Sequence, residues 1–388
     1  MTPAARYASA IEILDAVLAG ASAEKSLTSW ARANRYAGSK DRAAVRDHVF
    51  DVLRRKRSLA AIGGTLSGRG LTIGLLRFQG IDTAANFGAG GYGPPALTAD
   101  EIALGETPAQ GAQACDLPDW LWPIWQADLG DGAQACAAVL QERGPISLRV
   151  NLGRCSRAQA ADMLAQDGVV TVPSTDVKTG LQVVENERKV KTSAAYLQGF
   201  VEVQDIASQV AVAALDISDG ARVLDYCAGG GGKALAIADQ YQCRVVAHDI
   251  SAARMADIPV RADRAGVTIE VMETAQLAGC DPFDVVFVDA PCSGSGTWRR
   301  APEAKWAFTS EKLLSFNALQ GEVLAKSAEF VAINGTLIYA TCSVLAAENG
   351  AIVSKFLADR PEWRCLHEKQ RLPDALGDGF YHAILHRA

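Results

Sequence analysis

The chain has 388 residues, 49% hydrophobic and 21% charged, the balance of an ordinary globular protein with two or three domains, which excludes a disordered or fibrous one. No apolar run approaches the roughly 20 residues of a membrane span, and nine irregularly spaced cysteines argue against a disulfide framework and suit a reducing cytoplasm. The formal net charge is −6, yet residues 1–62 carry 11 Lys and Arg against 6 Asp and Glu, so a basic N-terminal segment precedes an acidic remainder.

The opening MTPAARYASAIEILDAVLAG lacks the basic-then-apolar order of a secretion signal and reads as an amphipathic helix, so a cytoplasmic location is expected. Ile11, Leu14, Val17 and Leu18 form one apolar stripe; Leu27, Trp30 and Ala31 begin a second; Val45, Val49, Phe50 and Leu53 form a third. This spacing predicts a helical domain over residues 1–116. Within it Arg42, Arg46, Arg54, Arg55, Lys56 and Arg57 recur on a helical pattern. Such a segment either contacts phosphates or is a solvated helix face, and charge alone does not choose. GGTLSGRG and FGAGGYGPPALT, within residues 63–116, predict short, punctuated helices. The three tryptophans of DLPDWLWPIWQADLG read as core packing.

PISLRVN predicts a strand and CSRAQAADMLAQDG a helix capped by Ser156, so residues 117–198 form a small α/β unit. From residue 221 the strands ARVLDYCA, CRVVAHDI, VTIEVME, FDVVFVDA and GTLIYATCS alternate with helices. The alternation predicts an α/β, doubly wound, Rossmann-like parallel sheet in a third domain over residues 199–388.

Three features of that domain carry chemistry. Strand, glycine-rich turn and helix in LDYCAGGGGKALA suit a nucleotide-type ligand, because Gly229, Gly230, Gly231 and Gly232 let backbone amides approach it. Asp249, ending the next strand, is placed to take ribose hydroxyls. To this point a nicotinamide cofactor and S-adenosylmethionine both fit. The third feature is a pair of cysteines at strand ends, Cys292 in VDAPCSGSGT and Cys342 in IYATCS. Hydride transfer has no use for a thiol. Alkylating carbon 5 of a pyrimidine does, since that carbon becomes nucleophilic once a thiolate adds at carbon 6. No CxxC…CxxC set is present, so no metal is expected.

DYCAGGGGK, DAPCSGSGT, YATCS followed by Glu348-Asn349, and the terminal DGFYHAILHR resemble the successive motifs of the Nop/Sun family of RNA (cytosine-5)-methyltransferases, in its bacterial RsmB-like branch. The helical N-terminus is similar to the NusB-like RNA-binding extension of that branch, and residues 117–198 resemble the segment before the catalytic domain. The resemblance implies S-adenosyl-L-methionine as cofactor and RNA, specifically 16S ribosomal RNA, as partner. It implies Cys342 as nucleophile, Cys292 as the group assisting release, and Asp289 at ring nitrogen 3. It also implies that Cys227, Ala228, the four glycines and Lys233 surround the methionine part of the cofactor, Asp249 its ribose and Glu273 its adenine, with Asp289 near the methyl donor. Here the family's Ala-Pro-Gly-Gly turn is Gly229 to Gly232, its usual adenine-contacting Asp is Glu273, and its Glu-Asn-Glu is Glu348-Asn349-Gly350. Arg299, Arg300 and Lys305, beside Trp298 and Trp306, either line an RNA path or form a solvated helix. A monomer is expected. The competing readings are a ribosome assembly factor that keeps the fold without turnover, a transfer RNA cytosine-5 methyltransferase, and a nicotinamide-dependent oxidoreductase.

Overall fold

The computed structural model describes every residue except Ala89. The chain divides into two compact units, residues 1–143 with 298–310, and residues 144–297 with 311–388. In the first, α1 (Pro3–Leu18), α2 (Ala23–Ala33), α3 (Ser39–Arg54), α4 (Lys56–Gly63) and α5 (Gly68–Phe78) surround Leu14, Leu27, Trp30, Val45, Val49, Leu53 and Leu71. The apolar stripes of the sequence face this core.

GGTLSGRG punctuates the helices as expected, α4 ending at Gly63 with Gly64 at φ +86° and α5 starting at Gly68, and glycines here have a second use. A Cβ on Gly63 would lie 1.9 Å from the Gly70 carbonyl oxygen, and one on Gly74 would lie 2.1 Å from that of Leu59. They let α4 and the 11-residue α5 pack backbone to backbone.

The basic run is also largely spent inside the unit. Arg54 Nε donates to the Arg299 carbonyl at 2.7 Å, Arg55 Nη1 to that of Gln141 at 2.5 Å, and Arg57 Nη1 to that of Leu117 at 2.7 Å. Lys56 Nζ sits 4.2 Å from the centre of the Trp306 ring. The segment Trp298–Ser310 belongs to this same helical unit, with Trp298, Arg299 and Lys305 buried. Lys305 Nζ donates to the Arg54 carbonyl at 3.0 Å and Trp306 Nε1 to that of Leu53 at 2.6 Å. Neither the RNA path nor the solvated helix describes these side chains, because they close helix ends in a core. Burial pushes the Lys305 ammonium down to about 8.

The second unit holds two sheets. β1 (Ile146–Val150), β2 (Val170–Pro173), β3 (Gly180–Glu185) and β4 (Val201–Val203) form an antiparallel sheet in the order β2-β3-β1-β4. Ser156 Oγ accepts from the Gln159 N–H at 3.2 Å, capping the helix Arg157–Gln166 as expected. The larger sheet comprises β5 (Arg222–Asp225), β6 (Arg244–His248), β7 (Ile269–Met272), β8 (Phe283–Asp289), β9 (Val331–Thr341), β10 (Trp363–Arg371) and β11 (Phe380–Arg387). Its order is β10-β11-β9-β8-β5-β6-β7. β5 to β9 run parallel, and β10 and β11 add an antiparallel edge. The fold is α/β and Rossmann-like, with a mixed sheet in place of the wholly parallel one expected.

Buried polar contacts join the small sheet to the large one. Arg149 on β1 pairs with Asp239 of the helix Gly232–Gln240 at 2.5 Å, the two side chains 2% and 1% exposed. Glu202 on β4 takes Arg264 at 2.6 Å, and Asn151 Nδ2 donates to the Ala265 carbonyl at 2.8 Å. These ties hold residues 144–198 and the sheet domain in one unit. Burial lowers the pKa of Arg149 and raises that of Asp239 despite their pairing, the mark of an ion pair that is costly to desolvate. Arg149→Met should therefore destabilise the protein by about 3–5 kcal/mol by leaving Asp239 buried and unpaired. Adding Asp239→Leu should recover most of that loss. Urea unfolding of the three proteins checks this, and a single variant within about 1 kcal/mol of wild type would refute it.

Candidate active site

The parallel register brings the ends of four strands to one edge. Asp225 pairs with Ala247 on β6 and Phe287 on β8, and Asp289 pairs with Ala340 on β9. Asp225, Asp249, Asp289 and Cys342 therefore emerge from neighbouring strands at the carboxyl edge, where ligands of such sheets bind. A cleft of 690 Å³ opens there, and Cys227, Ala228, Gly229, Gly230, Gly232, Lys233, Asp249, Asp289, Cys292 and Cys342 all line it.

Two predicted residues do not. Gly231 is the N-cap of the helix Gly232–Gln240 at φ +82°, and a Cβ there would lie 2.8 Å from Ile258 Cγ1. Its role is to turn the chain. Glu273 is exposed at the start of the short helix Thr274–Leu277, its N–H donating to Gln276 Oε1 at 2.7 Å. It stands outside the cleft lining. The lining instead includes Ile250, 85% exposed beside Asp249, apolar surface that an aromatic ring can cover. Gln204, Ser208, Tyr226, Arg254, Leu319 and Val323 also line the cleft and escaped the sequence reading. Tyr226 lies within the motif LDYCAGGGGKALA, and the others carry no local mark of a ligand.

Charge is concentrated at the cleft floor. Lys233 Nζ donates to Asp289 Oδ2 at 2.6 Å. Burial works against the charged Lys233, and Asp289, Asp225 and Cys342 outweigh it, so its pKa is raised. Asp225 is 1% exposed, and its oxygens make no close hydrogen bond, though the nearby Ala234 N–H favours its charged form. Burial pushes it up to about 7, with Lys233 opposing and Asp289 and Asp249 adding to the rise. Asp249 accepts from the Gly229 N–H at 3.0 Å and the Ser251 N–H at 3.0 Å, and pairs with Arg254 at 3.1 Å. His248 is turned away from chemistry: its Nδ1 meets the Tyr226 carbonyl at 2.8 Å and its Nε2 the Thr274 hydroxyl at 2.9 Å.

The two cysteines meet across the cleft, Cys292 Sγ 3.4 Å from Cys342 Sγ. Hydrogen bonding to Cys342 raises the Cys292 pKa, and burial and the charges of Cys342 and Glu348 raise it further. Burial, with Asp225, Asp289 and Asp249, also raises that of Cys227. The loops carrying the pair fit closely. Gly296 donates its N–H to the Cys342 carbonyl at 2.9 Å, and a Cβ on it would lie 2.7 Å from Gly379 Cα. SGSG and DGF, distant in sequence, thus meet glycine to glycine. Among the described residues no group of three or more His, Cys, Asp or Glu is arranged to hold a metal ion, and no single helix is long and apolar enough to cross a membrane.

A glycine turn and acidic strand ends on this sheet define a Rossmann-like methyltransferase fold. Residues 212–384 match the family model of 16S rRNA methyltransferases RsmB/F, and residues 117–191 that of the ferredoxin-like domain of RsmF/B-like methyltransferases. The chain is 31% identical over 281 residues to ribosomal RNA small subunit methyltransferase B of Vibrio cholerae, covering 69% of this chain and 64% of that one. It is 32% identical over 289 residues to the protein of that name from Escherichia coli, covering 71% and 67%. The solved structure of PH0851 superposes over 100% of this chain and 99% of its own with a TM-score of 0.77 at 22% identity. The chain belongs to the RsmB-like branch of the Nop/Sun family. Its match spans a little under two thirds of the Vibrio cholerae relative's length.

The raised pKa of Asp225 sets a sign for stability. A carboxyl that titrates higher in the folded state stabilises fully below its ordinary value near 3.8, and that stability is lost as pH rises toward 7. Asp225→Asn should therefore gain on wild type between pH 4 and pH 7, by on the order of 4 kcal/mol, and then level off. Chemical denaturation at a series of pH values tests it, and a difference that stays flat from pH 4 to pH 8 would count against a protonated Asp225.

Proposed function

We propose that the chain transfers a methyl group from S-adenosyl-L-methionine to carbon 5 of a cytosine in RNA, with 16S ribosomal RNA as the substrate. The observation that carries this reading is the 3.4 Å approach of Cys292 and Cys342 beside the Lys233–Asp289 pair, within one cleft. A nicotinamide enzyme would have no use for that arrangement.

The cleft suits the cofactor. Gly229, Gly230 and Gly232 keep backbone close to it, the buried Asp225 carboxyl suits an ammonium group, and Asp249 and Ile250 offer a carboxylate and an apolar face side by side. When bound, the cofactor supplies an electrophilic methyl group. Cys342 Sγ adds to carbon 6 of the flipped base, making carbon 5 nucleophilic. Asp289, held by Lys233, meets ring nitrogen 3, where charge builds. Once a base, solvent water or a side chain, has taken the carbon 5 proton, the ring double bond re-forms, the Cys342–carbon 6 bond breaks and Cys342 leaves as a thiolate. Cys292, kept protonated by its raised pKa, stands next to that leaving sulfur and serves the release step.

RNA would also meet the helical unit. There Leu27, Trp30, Arg32, Arg35, Arg42 and Arg46 line a groove of 490 Å³. Arg46 pairs with Glu24 at 2.5 Å and Arg42 Nε donates to the Ala37 carbonyl at 2.9 Å, while Arg32 and Arg35 are exposed and suited to phosphates. Four of the six residues of the basic run, Arg54 to Arg57, are engaged inside the unit, which leaves the face shared by α2 and the start of α3 as the surface offered to RNA.

Incubation with cellular RNA and S-adenosylmethionine, followed by denaturing electrophoresis, tests the chemistry. Cys292→Ala should accumulate a protein–RNA adduct that survives denaturation, and adding Cys342→Ala should abolish it. Wild type that methylates RNA without any trapped adduct in Cys292→Ala would overturn the thiol assignment, and wild type that transfers no methyl group even to ribosomal particles would favour an assembly factor. For the groove, replacing Arg32 and Arg35 by Gln should reduce the slope of log affinity against log salt by roughly 1 for each phosphate that is no longer neutralised. An unchanged slope would remove the groove from the RNA interface.

A further inference from the structure

Glu348 is 0% exposed and touches neither the cleft nor solvent, yet it is a carboxylate in the middle of the sheet domain. Burying such a group costs several kcal/mol unless its oxygens are fully engaged. They are. Oε1 accepts from the Ser293 N–H at 2.8 Å and from Gln320 Nε2 at 3.0 Å. Oε2 accepts from the Ser343 hydroxyl at 2.5 Å and from the Ser293 hydroxyl. Ser293 directly follows Cys292, and Ser343 directly follows Cys342.

The neighbouring side chains complete the arrangement. Gln320 Nε2 also donates to the Pro291 carbonyl at 3.0 Å, so residues 291 and 293 are gripped on both sides of Cys292. Asn349 Oδ1 accepts from the Thr341 hydroxyl at 2.6 Å and its Nδ2 donates to the Ser343 carbonyl at 2.9 Å, gripping both sides of Cys342. Tyr339 donates its hydroxyl to the Glu348 carbonyl at 2.7 Å, anchoring the pair to β9.

From this geometry we infer that Glu348 is a positioning residue that sets the spacing of the two thiols, one carboxylate bracing both cysteine loops from behind. This rests on the duties given above to Cys342 and Cys292, which require the two sulfurs within reach of one base. A neutral packing residue would fill the space but could not take three donors from the two loops and a fourth from the helix Ser310–Ala328. The loops keep independent ties, the Ser295 hydroxyl to the Ser343 hydroxyl at 2.9 Å and the Val344 N–H to Ser295 at 2.9 Å. Removing Glu348 should therefore loosen the thiols without dissolving the domain.

The test measures thiol spacing directly, with neither RNA nor cofactor present. The full chain is treated with diamide, which takes two electrons and two protons from Cys292 and Cys342 as their S–S bond forms and is itself reduced to the hydrazine. The linked peptide is followed by mass spectrometry. Glu348→Ala should form the Cys292–Cys342 link at least tenfold more slowly than wild type. Glu348→Gln, which keeps two acceptor sites and lets the serine hydroxyls turn round, should restore most of the rate. In methyl transfer, Glu348→Ala should lower kcat with the KM for RNA unchanged. Should Glu348→Ala fail to fold, Ser293→Ala and Ser343→Ala each remove one strut and should each slow the link severalfold. A folded Glu348→Ala that cross-links at the wild-type rate overturns the inference, as do serine variants that both cross-link normally. Slow cross-linking in a protein that traps no adduct would instead retain the brace and reject the thiol chemistry.

Discussion

Everything chemical in this molecule depends on the alignment of four parallel strand ends. β6, β5, β8 and β9 stop at nearly the same level, because their register pairs Asp225 with Phe287 and Asp289 with Ala340. Each strand then releases a functional residue into the same space. Parallel strands buried on both faces give a rigid, dry floor, and the loops beyond them need to reach only a few ångströms. The antiparallel strand β11 contributes indirectly. The chain leading into it brings Gly379 against Gly296, which closes the Cys292 loop onto the Cys342 loop.

That floor carries three aspartates and one lysine within a small volume, an arrangement stable only if the charges are not all present at once. Asp289 is satisfied by Lys233 and Asp249 by two backbone N–H groups and Arg254. For Asp225, burial outweighs Lys233 and the Ala234 N–H, which favour the charge, and its pKa rises. The same field acts on sulfur. Cys227 lies among the aspartates, and burial together with their charges raises its pKa.

The strands, the helix caps and the chemical motifs were legible because each is written within a few adjacent residues. LDYCAGGGGKALA announces strand, turn and helix together, and the two cysteine motifs mark strand ends by composition alone. What stayed hidden depends on pairs far apart in sequence. Nothing local distinguishes Arg54, which closes onto Arg299, from Arg32, which faces water. The segment Trp298–Ser310 reads as part of the catalytic loop and yet packs in the helical unit. That Gly63 and Gly74 also let two helices touch backbone to backbone is invisible until the chain folds. Glu348 was visible as part of a motif, but its four donors come from residues 293, 320 and 343.

The glycine turn shows how one such long-range contact substitutes for a local one. The family motif that the chain resembles has a proline where Gly230 stands, which would fix the backbone by its ring. Gly229 and Gly231 on either side of Gly230 have positive φ. Here the turn is held from outside. Arg261 donates to the Gly230 carbonyl, and Gln204 Nε2 donates to that of Gly232 at 3.0 Å. Gln204 comes from the segment just after β4, and Arg261 also reaches Glu202 on β4 at 3.4 Å. The small antiparallel sheet therefore reaches the cofactor turn through its last strand, and a rigidity that proline would encode in one residue is distributed over two sheets. On this account the four-glycine turn does not imply a slack cofactor site, since the order missing from its own sequence is supplied by residues 202, 204 and 261.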